Sequence, residues 1–189
     1  MTNDNELLLI ERSRAGDNAA FEALVRKYQD RVYNICRYML GPADAEDAAQ
    51  DAFVKAYRNL DRFTPSPSFQ AWITRIAVNS CLDYKRRPAH VSLAATSREG
   101  EEYTLEPPSD SPGPEAALES KKAAEAVSRA IAGLSEKLRA VIVLYELEGL
   151  SYEEISEALG VSIGTVKSRI SRARDELKRL LHAQMEQIR

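Results

Sequence analysis

The chain has 189 residues, a formal net charge of −3 and a sequence pI of about 5.6. A molecule acidic overall is not drawn to a polyanion as a whole, so any nucleic-acid binding has to come from a local cationic surface. Two cysteines, two histidines and the lack of any Cys-x-x-Cys or Glu-x-x-His pair argue against a zinc-type enzymatic centre, and no apolar run approaches the ~18 residues of a membrane span.

The amino terminus, Met1 to Glu6, is acidic, and the apolar run Leu7 to Ile10 is too short for a signal or a membrane segment. A cytoplasmic protein without direct membrane insertion is expected. Phe21, Leu24, Tyr28, Val32, Ile35 and Met39 then step by three and four residues, after Asp17 as N-cap and before Gly41-Pro42 as a stop. This predicts a core helix. A second helix is expected from about Ala45 to Leu60, with Ala49, Phe53 and Ala56 inward. Its other side carries Asp44, Asp47, Gln50 and Asp51, and the aspartates share one face. Favourable placement at the positive end of the helix dipole, a metal site and a docking surface for a basic partner all fit that pattern.

Asp61-Arg62-Phe63 leads into a proline-bearing loop, Thr64 to Ser68, and then a helix containing Trp72, Arg75, Asn79, Arg86 and Arg87. Aromatics, hydroxyls and arginines around a loop are what stacking on unpaired bases needs, although Trp72 on its own reads better as a core residue.

From Pro88 to Pro114 the chain carries five prolines with Ser, Gly and Glu, and only Val91, Leu93, Tyr103 and Leu105 to bury. No core can form from it. Charge is segregated accordingly. Residues 1–87 hold 13 Lys/Arg against 12 Asp/Glu, residues 88–120 hold 1 against 7, and residues 121–189 hold 12 against 10. The predicted fold is therefore all-α, with an N-terminal helical bundle over 1–87, a flexible acidic linker over 88–114 and a second helical domain over 115–189. As a flexible coil the linker would average about 30 Å, and at full stretch about 90 Å.

Leu150 to Arg174 reads L-S-Y-E-E-I-S-E-A-L-G-V-S-I-G-T-V-K-S-R-I-S-R-A-R. Ser151 with Glu154 is a capping box, Gly160 is placed to end the short helix, and Ser162 to cap the next. Val166, Ile170, Ala173 and Leu177 fall on one face of that second helix, towards Ile155 and Leu159. The opposite arc holds Thr165, Lys167, Ser168, Arg169, Ser171 and Arg172, and no acid occurs between Leu159 and Asp175. A charged surface helix is the plain alternative. Caps, glycine turn and an acid-free face together favour a DNA-reading helix-turn-helix.

With these residues in view, the chain resembles the extracytoplasmic-function sigma factors, two-domain bacterial transcription initiation factors. The resemblance rests on A-F-E-A-L-V-R-K-Y (20–28), D-A-E-D-A-A-Q-D-A-F-V-K-A-Y (44–57), F-Q-A-W-I-T-R-I-A-V-N (69–79) and the helix-turn-helix (150–174). It implies a non-enzymatic factor, without cofactor or metal, that binds bacterial core RNA polymerase and promoter DNA. Asp47, Gln50 and Asp51 would dock on the clamp helices of the largest subunit, and the C-terminal domain on the flap region. Phe63, Ser66, Ser68, Trp72, Arg75 and Asn79 would melt the minus-ten element and capture a flipped base, with Phe63 and Asn79 in the pocket. Thr165, Lys167, Ser168, Ser171 and Arg172 would read the minus-35 duplex, with Arg169 and Arg174 on phosphates. The acidic linker would thread the RNA path of the polymerase. A cognate anti-sigma factor, often membrane-anchored in this family, is the expected inhibitor.

Two departures stand out. Many members carry Phe-Arg-Gly-x-Ser in the melting loop, whereas Phe63 here precedes Thr64-Pro65-Ser66-Pro67-Ser68, in which two prolines fix φ. Ser171 stands where an aromatic or His is frequent. Two other classes are less compatible: a regulator acting without polymerase leaves the acidic helix and aromatic loop unused, and a hydrolase built on Asp44, Asp47 and Asp51 lacks a convergent nucleophile and base. Cys36 and Cys81, in separate helices, are expected to be far apart, each a small buried hydrophobe.

Overall fold

The computed structural model describes residues 4–65, 68–86 and 114–186, and every regular element among them is helical. The N-terminal domain consists of α1 (Asp4–Arg14), α2 (Asn18–Leu40), α3 (Pro42–Arg58), a 3-10 turn (Leu60–Arg62) and α4 (Phe69–Arg86). The C-terminal domain consists of α5 (Pro114–Gly133), α6 (Glu136–Ile142), a π-helical turn (Val143–Leu147), α7 (Tyr152–Leu159) and α8 (Ile163–Glu186). The expected linker lies outside the described residues except for Pro114, the first residue of α5, and so does Ser66 of the proline loop.

Local chemistry explains most helix ends. The Asp17 carboxylate accepts the Ala20 N–H at 3.2 Å, which starts α2, and Leu24, Tyr28, Val32, Ile35 and Met39 form its buried stripe. Gly41, at φ +95°, ends it. The sequence pattern predicts a stop at Pro42 and a new helix near Ala45, but α3 begins at Pro42 itself. The first helical turn needs no N–H there and accepts the fixed φ of proline. The inward face of α3 is Ala45, Ala48, Ala49, Ala52 and Ala56, a ladder of small side chains that lets α3 lie close to α2 and α4. Phe53, expected to point inward, is half-buried on the flank of this ladder. Leu60, expected to end α3, opens the 3-10 turn.

Helix α1 was not legible as an element. It buries Ile10 and, against the usual rule for carboxylates, Glu6. That carboxylate accepts from the Tyr28 hydroxyl at 2.6 Å and pairs with Lys27 at 2.7 Å. Burial, then the Glu6 bond, push the Tyr28 phenol well above its ordinary value. Cys36 of α2 and Cys81 of α4 correct another expectation. Both are fully buried and unoxidised, but they neighbour each other where α2 and α4 cross, and the Cys81 thiol beside it, with burial, raises the Cys36 thiol.

In the C-terminal domain the helix-turn-helix is built as its residues predict. Ser151 and Glu154 cap reciprocally, the Ser151 N–H donating to Glu154 at 2.9 Å and the Glu154 N–H to Ser151 at 3.2 Å. Gly160 is left-handed at φ +61°, and Ser162 accepts the Thr165 N–H at 3.2 Å. Val166, Ile170 and Ala173 are buried with Ile155, while Leu159 and Leu177 pack at the edge.

The two domains also face each other. Arg139 of α6, almost fully buried, donates to the carbonyls of Ile131, Ala132 and Leu134 at the end of α5 and, across the domain boundary, to the Met39 carbonyl at the end of α2 (2.7 Å). A single guanidinium thus satisfies orphan carbonyls at two helix ends.

Candidate nucleic-acid interface

Helix α8 presents its polar arc to solvent. Lys167, Ser168, Ser171 and Arg172 are exposed, whereas Thr165 and Arg169 are half-buried at the margins. Thr165 is engaged with the Ser162 hydroxyl at 2.9 Å, so it serves the cap as well as the surface. The Ser168 hydroxyl donates to the Thr165 carbonyl at 3.0 Å, and the Arg172 Nε to the Ser168 carbonyl at 3.3 Å. These bonds lay both side chains along the helix and leave the other Arg172 donors pointing outward. Lys167 to Arg172 covers about 8 Å of helix axis, or two to three base pairs.

Beside this arc is an arrangement the sequence reading missed. The rings of Tyr145 and Tyr152 stack at 5.2 Å and 13°, Lys167 lies over Tyr152 at 5.5 Å, and Arg174 over Tyr145 at 5.3 Å. Arg174 also pairs with Glu146 at 2.7 Å, which raises its pKa further. Arg174 is therefore already partly neutralised, and Lys167 is held at the rim of a hollow lined by Tyr152, Ile170, Ser171, Arg174 and Asp175. The Tyr–x6–Tyr spacing was the only signal for this stack.

In the N-terminal domain the residues singled out around the proline loop divide. Phe63 is buried, 3% exposed, and packs edge-on against Phe69 and Trp72 with ring centroids 5.4 Å apart. It lies beneath the loop entrance, not in an open pocket. Arg14 of α1 fastens this entrance by donating to the carbonyls of Leu60 (3.0 and 3.1 Å) and Phe63. Nothing in the sequence pattern marked Arg14. Ser68 caps α4, its hydroxyl accepting the Ala71 N–H at 3.2 Å. Trp72, half-buried, also packs against Phe69, the two ring planes tilted by 39°.

Arg75 and Asn79 are one turn apart on the same face of α4. Both are held by the C-terminal domain: Arg75 pairs with Glu157 at 2.7 Å, and the Asn79 amide donates to the Ala158 carbonyl at 3.3 Å.

On α3, Asp47 and Gln50 are exposed and Asp51 is half-buried. Asp44 turns towards α4, accepting from the Tyr84 hydroxyl at 3.2 Å, so the three aspartates do not converge. Among the described residues no group of acidic, His or Cys side chains could hold a metal ion. The exposed face continues instead into Val54 and Tyr57, at the same three- and four-residue spacing. It is an acidic-to-apolar stripe that the sequence reading saw only in its acidic half.

Comparison with known proteins agrees with this layout. Residues 24–90 match sigma-70 region 2 and residues 124–177 match sigma-70 region 4. The RNA polymerase sigma-H factor of Pseudomonas aeruginosa is 37% identical over 188 residues, covering 96% of each chain. The ECF RNA polymerase sigma-E factor of Escherichia coli K12 is 40% identical over 176 residues, covering 90% of this chain and 91% of that one. Among solved structures, CnrH in complex with the cytosolic domain of CnrY superposes with a TM-score of 0.65 at 29% identity, covering 95% of this chain and 99% of that one. The sigma factor RpoE in complex with the anti-sigma factor NepR from Bartonella quintana gives 0.62 at 25% identity, over 86% and 96%. Both sigma-70 regions occur in order on one chain whose relatives match it almost end to end, and the chain belongs to the extracytoplasmic-function sigma factors, non-enzymatic factors of promoter-specific transcription initiation.

Proposed function

We propose that this chain works from the cytoplasm as a bridge between core RNA polymerase and two promoter elements, each contact lying on a separate helix. The exposed stripe of α3, Asp47 and Gln50 with Asp51 beside them, docks on the basic clamp helices of the largest subunit. The C-terminal domain sits on the flap region. Charge complementarity sets the rate and register of docking, while Val54 and Tyr57 supply the apolar area that the acidic residues lack.

Helix α8 reads the minus-35 duplex. Lys167, Ser168, Ser171 and Arg172 reach base edges, and Thr165, Arg169 and Arg174 take sugar and phosphate positions. The minus-ten strand runs over α4 and the loop before it. Unstacking a base costs a few kcal/mol, and stacking on an aromatic returns about 1–3 kcal/mol. Trp72, half-buried, supplies the aromatic for this and Asn79 has donors and an acceptor for a base edge. Phe63 supports the pocket from below, Ser66 and Ser68 belong to its rim, and Arg75 takes a phosphate. Regulation is by an anti-sigma factor, the kind of partner named in the RpoE–NepR structure; a membrane-anchored one would hold the chain at the membrane.

The observation that carries this reading is the exposure of two chemically opposite helix faces, the acidic stripe of α3 and the acid-free arc of α8, on one chain of this family. The test is in vitro transcription with core polymerase across a promoter library, with and without this chain. Selected promoters should share one minus-35 and one minus-ten sequence at fixed spacing, and initiation without such enrichment would overturn the reading.

A further inference from the structure

Arg14, the last residue of α1, grips the chain at the point where it leaves the 3-10 turn. Its Nε and Nη2 donate to the Leu60 carbonyl at 3.1 and 3.0 Å, and Nη2 donates also to the Phe63 carbonyl. The Leu60 carbonyl accepts the Phe63 N–H as well, at 3.1 Å, the bond that closes the turn. Phe63 itself is extended, with φ −67° and ψ 133°. The base of this grip is firm. Helix α1 is fixed to α2 by buried Ile10 and by the buried Glu6 carboxylate, which holds Tyr28 and Lys27.

We infer that Arg14 is a positioning residue for minus-ten selection: it aims the backbone leaving Phe63, and with it the chain that meets the promoter strand. This rests on the assignment of α4 and the loop before it to that strand. The Phe63 ring packs against Phe69 and Trp72, which fixes where the residue sits but leaves its ψ free to turn. The bond from Arg14 to the Phe63 carbonyl removes that freedom. Thr64 follows and stands before Pro65, so its own backbone is restricted to the extended region and the ring of Pro65 fixes the next φ. Neither residue can absorb a rotation at Phe63, and the direction set by Arg14 is passed on.

A direct phosphate contact is the competing role, since Arg14 is an exposed cation beside the same loop. The two roles differ in what they change. Loss of a phosphate contact weakens binding evenly across sequences and makes the salt dependence shallower by about one. Loss of a positioning residue alters which bases are preferred and leaves the salt dependence as it was. The geometry favours positioning, because Nε and Nη2 are both committed to carbonyls. The negative end of the α1 dipole also holds the guanidinium where it is, and lysine lacks the planar fork that reaches two acceptors.

The test uses holoenzyme assembled from core polymerase and the full chain, as wild type, Arg14→Gln, Arg14→Lys and Asn79→Ala, on promoters selected from the library. Rates of open-complex formation are measured for single-base changes through the minus-ten and minus-35 elements, at several salt concentrations. Arg14→Gln should saturate core polymerase at the wild-type concentration and keep the wild-type minus-35 discrimination and salt dependence. Its discrimination among minus-ten sequences should fall by about tenfold, the amount that one well-placed base contact supplies. Arg14→Lys, with the charge but without the fork, should show the same loss. An even loss across promoters with a shallower salt dependence, restored in Arg14→Lys, would make Arg14 a phosphate contact and overturn the inference. An even loss that follows weaker binding to core polymerase would make its role structural and overturn it too. Asn79→Ala separates this result from the reading on which it rests. Minus-ten discrimination lost in Asn79→Ala but kept in Arg14→Gln would remove the role of Arg14 alone, and discrimination kept in both would remove the minus-ten assignment with it.

Discussion

The Arg139 guanidinium and the Met39 carbonyl are 100 residues apart in the chain and 2.7 Å apart in the fold. The same guanidinium closes the end of α5, so one side chain ties a helix terminus in each domain to α6. Burial lowers its pKa, but arginine remains charged across the accessible range. Replacing Arg139 by Leu leaves those carbonyls without their donor in a dry site. The expected cost is about 3 kcal/mol, read as a fall in the urea midpoint at unchanged slope. A loss below about 1 kcal/mol would show that water replaces the guanidinium freely.

Arg172 is free to leave its helix for a base edge. Arg172→Ala should reduce open-complex formation by roughly ten- to hundredfold at promoters with an intact minus-35 element, a bidentate base contact being worth about 1–3 kcal/mol. At promoters whose minus-35 element is scrambled the variant and the parent should be equal. Equal losses at both would make Arg172 a phosphate contact.

Reversing charge at Asp47 and Asp51 should abolish co-purification with core polymerase and leave thermal stability within about 1 kcal/mol, since Asp47 is exposed and Asp51 half-buried. Val54→Ala should weaken the same binding without altering its salt dependence. Retention of the doubly reversed variant on polymerase would remove α3 from the interface.

Glu148 gives a pH dependence with a definite sign. Burial raises its carboxyl above the ordinary 4.5, and the attraction of Arg31 and the nearby Thr74 hydroxyl offset this only in part. The folded state then holds a proton that the unfolded chain has lost. The contribution of Glu148 to stability is unfavourable above the raised pKa, disappears as pH falls towards 4.5, and is absent below it. Glu148→Gln should therefore be at least as stable as the parent at pH 7, and the two unfolding curves should converge on acidification. A Gln variant less stable at neutral pH, with a gap that widened towards acid, would reverse this assignment.

Much of the local structure around the candidate site was legible in the sequence. Caps and turns are local, so Asp17, the Ser151–Glu154 box, Gly160 and Ser162 announced their helices directly. The arc from Lys167 to Arg172 followed from a period of 3.6 residues and the lack of acids. Short-range signals failed where a residue has more than one local option. Pro42 can stop one helix or start the next, and Phe53 sits one step from an alanine ladder that buries better. Glu6 looked like part of an acidic solvated end, yet Tyr28 and Lys27, distant in sequence, receive it. Cys36 and Cys81 were read as solitary because their meeting depends on the crossing of α2 and α4.

The sequence by itself determined an all-helical chain, the position of its helix-turn-helix and the family to which it belongs, because these rest on spacing and residue chemistry within a few turns. Only the tertiary structure decided that Phe63 is buried against Phe69 and Trp72, that Arg14 fastens the loop entrance, and that Arg75 and Asn79 face Glu157 and Ala158. Each of those facts is a meeting of side chains separated by tens of residues. Periodicity assigns a face to a helix, but the partner of that face is chosen by packing.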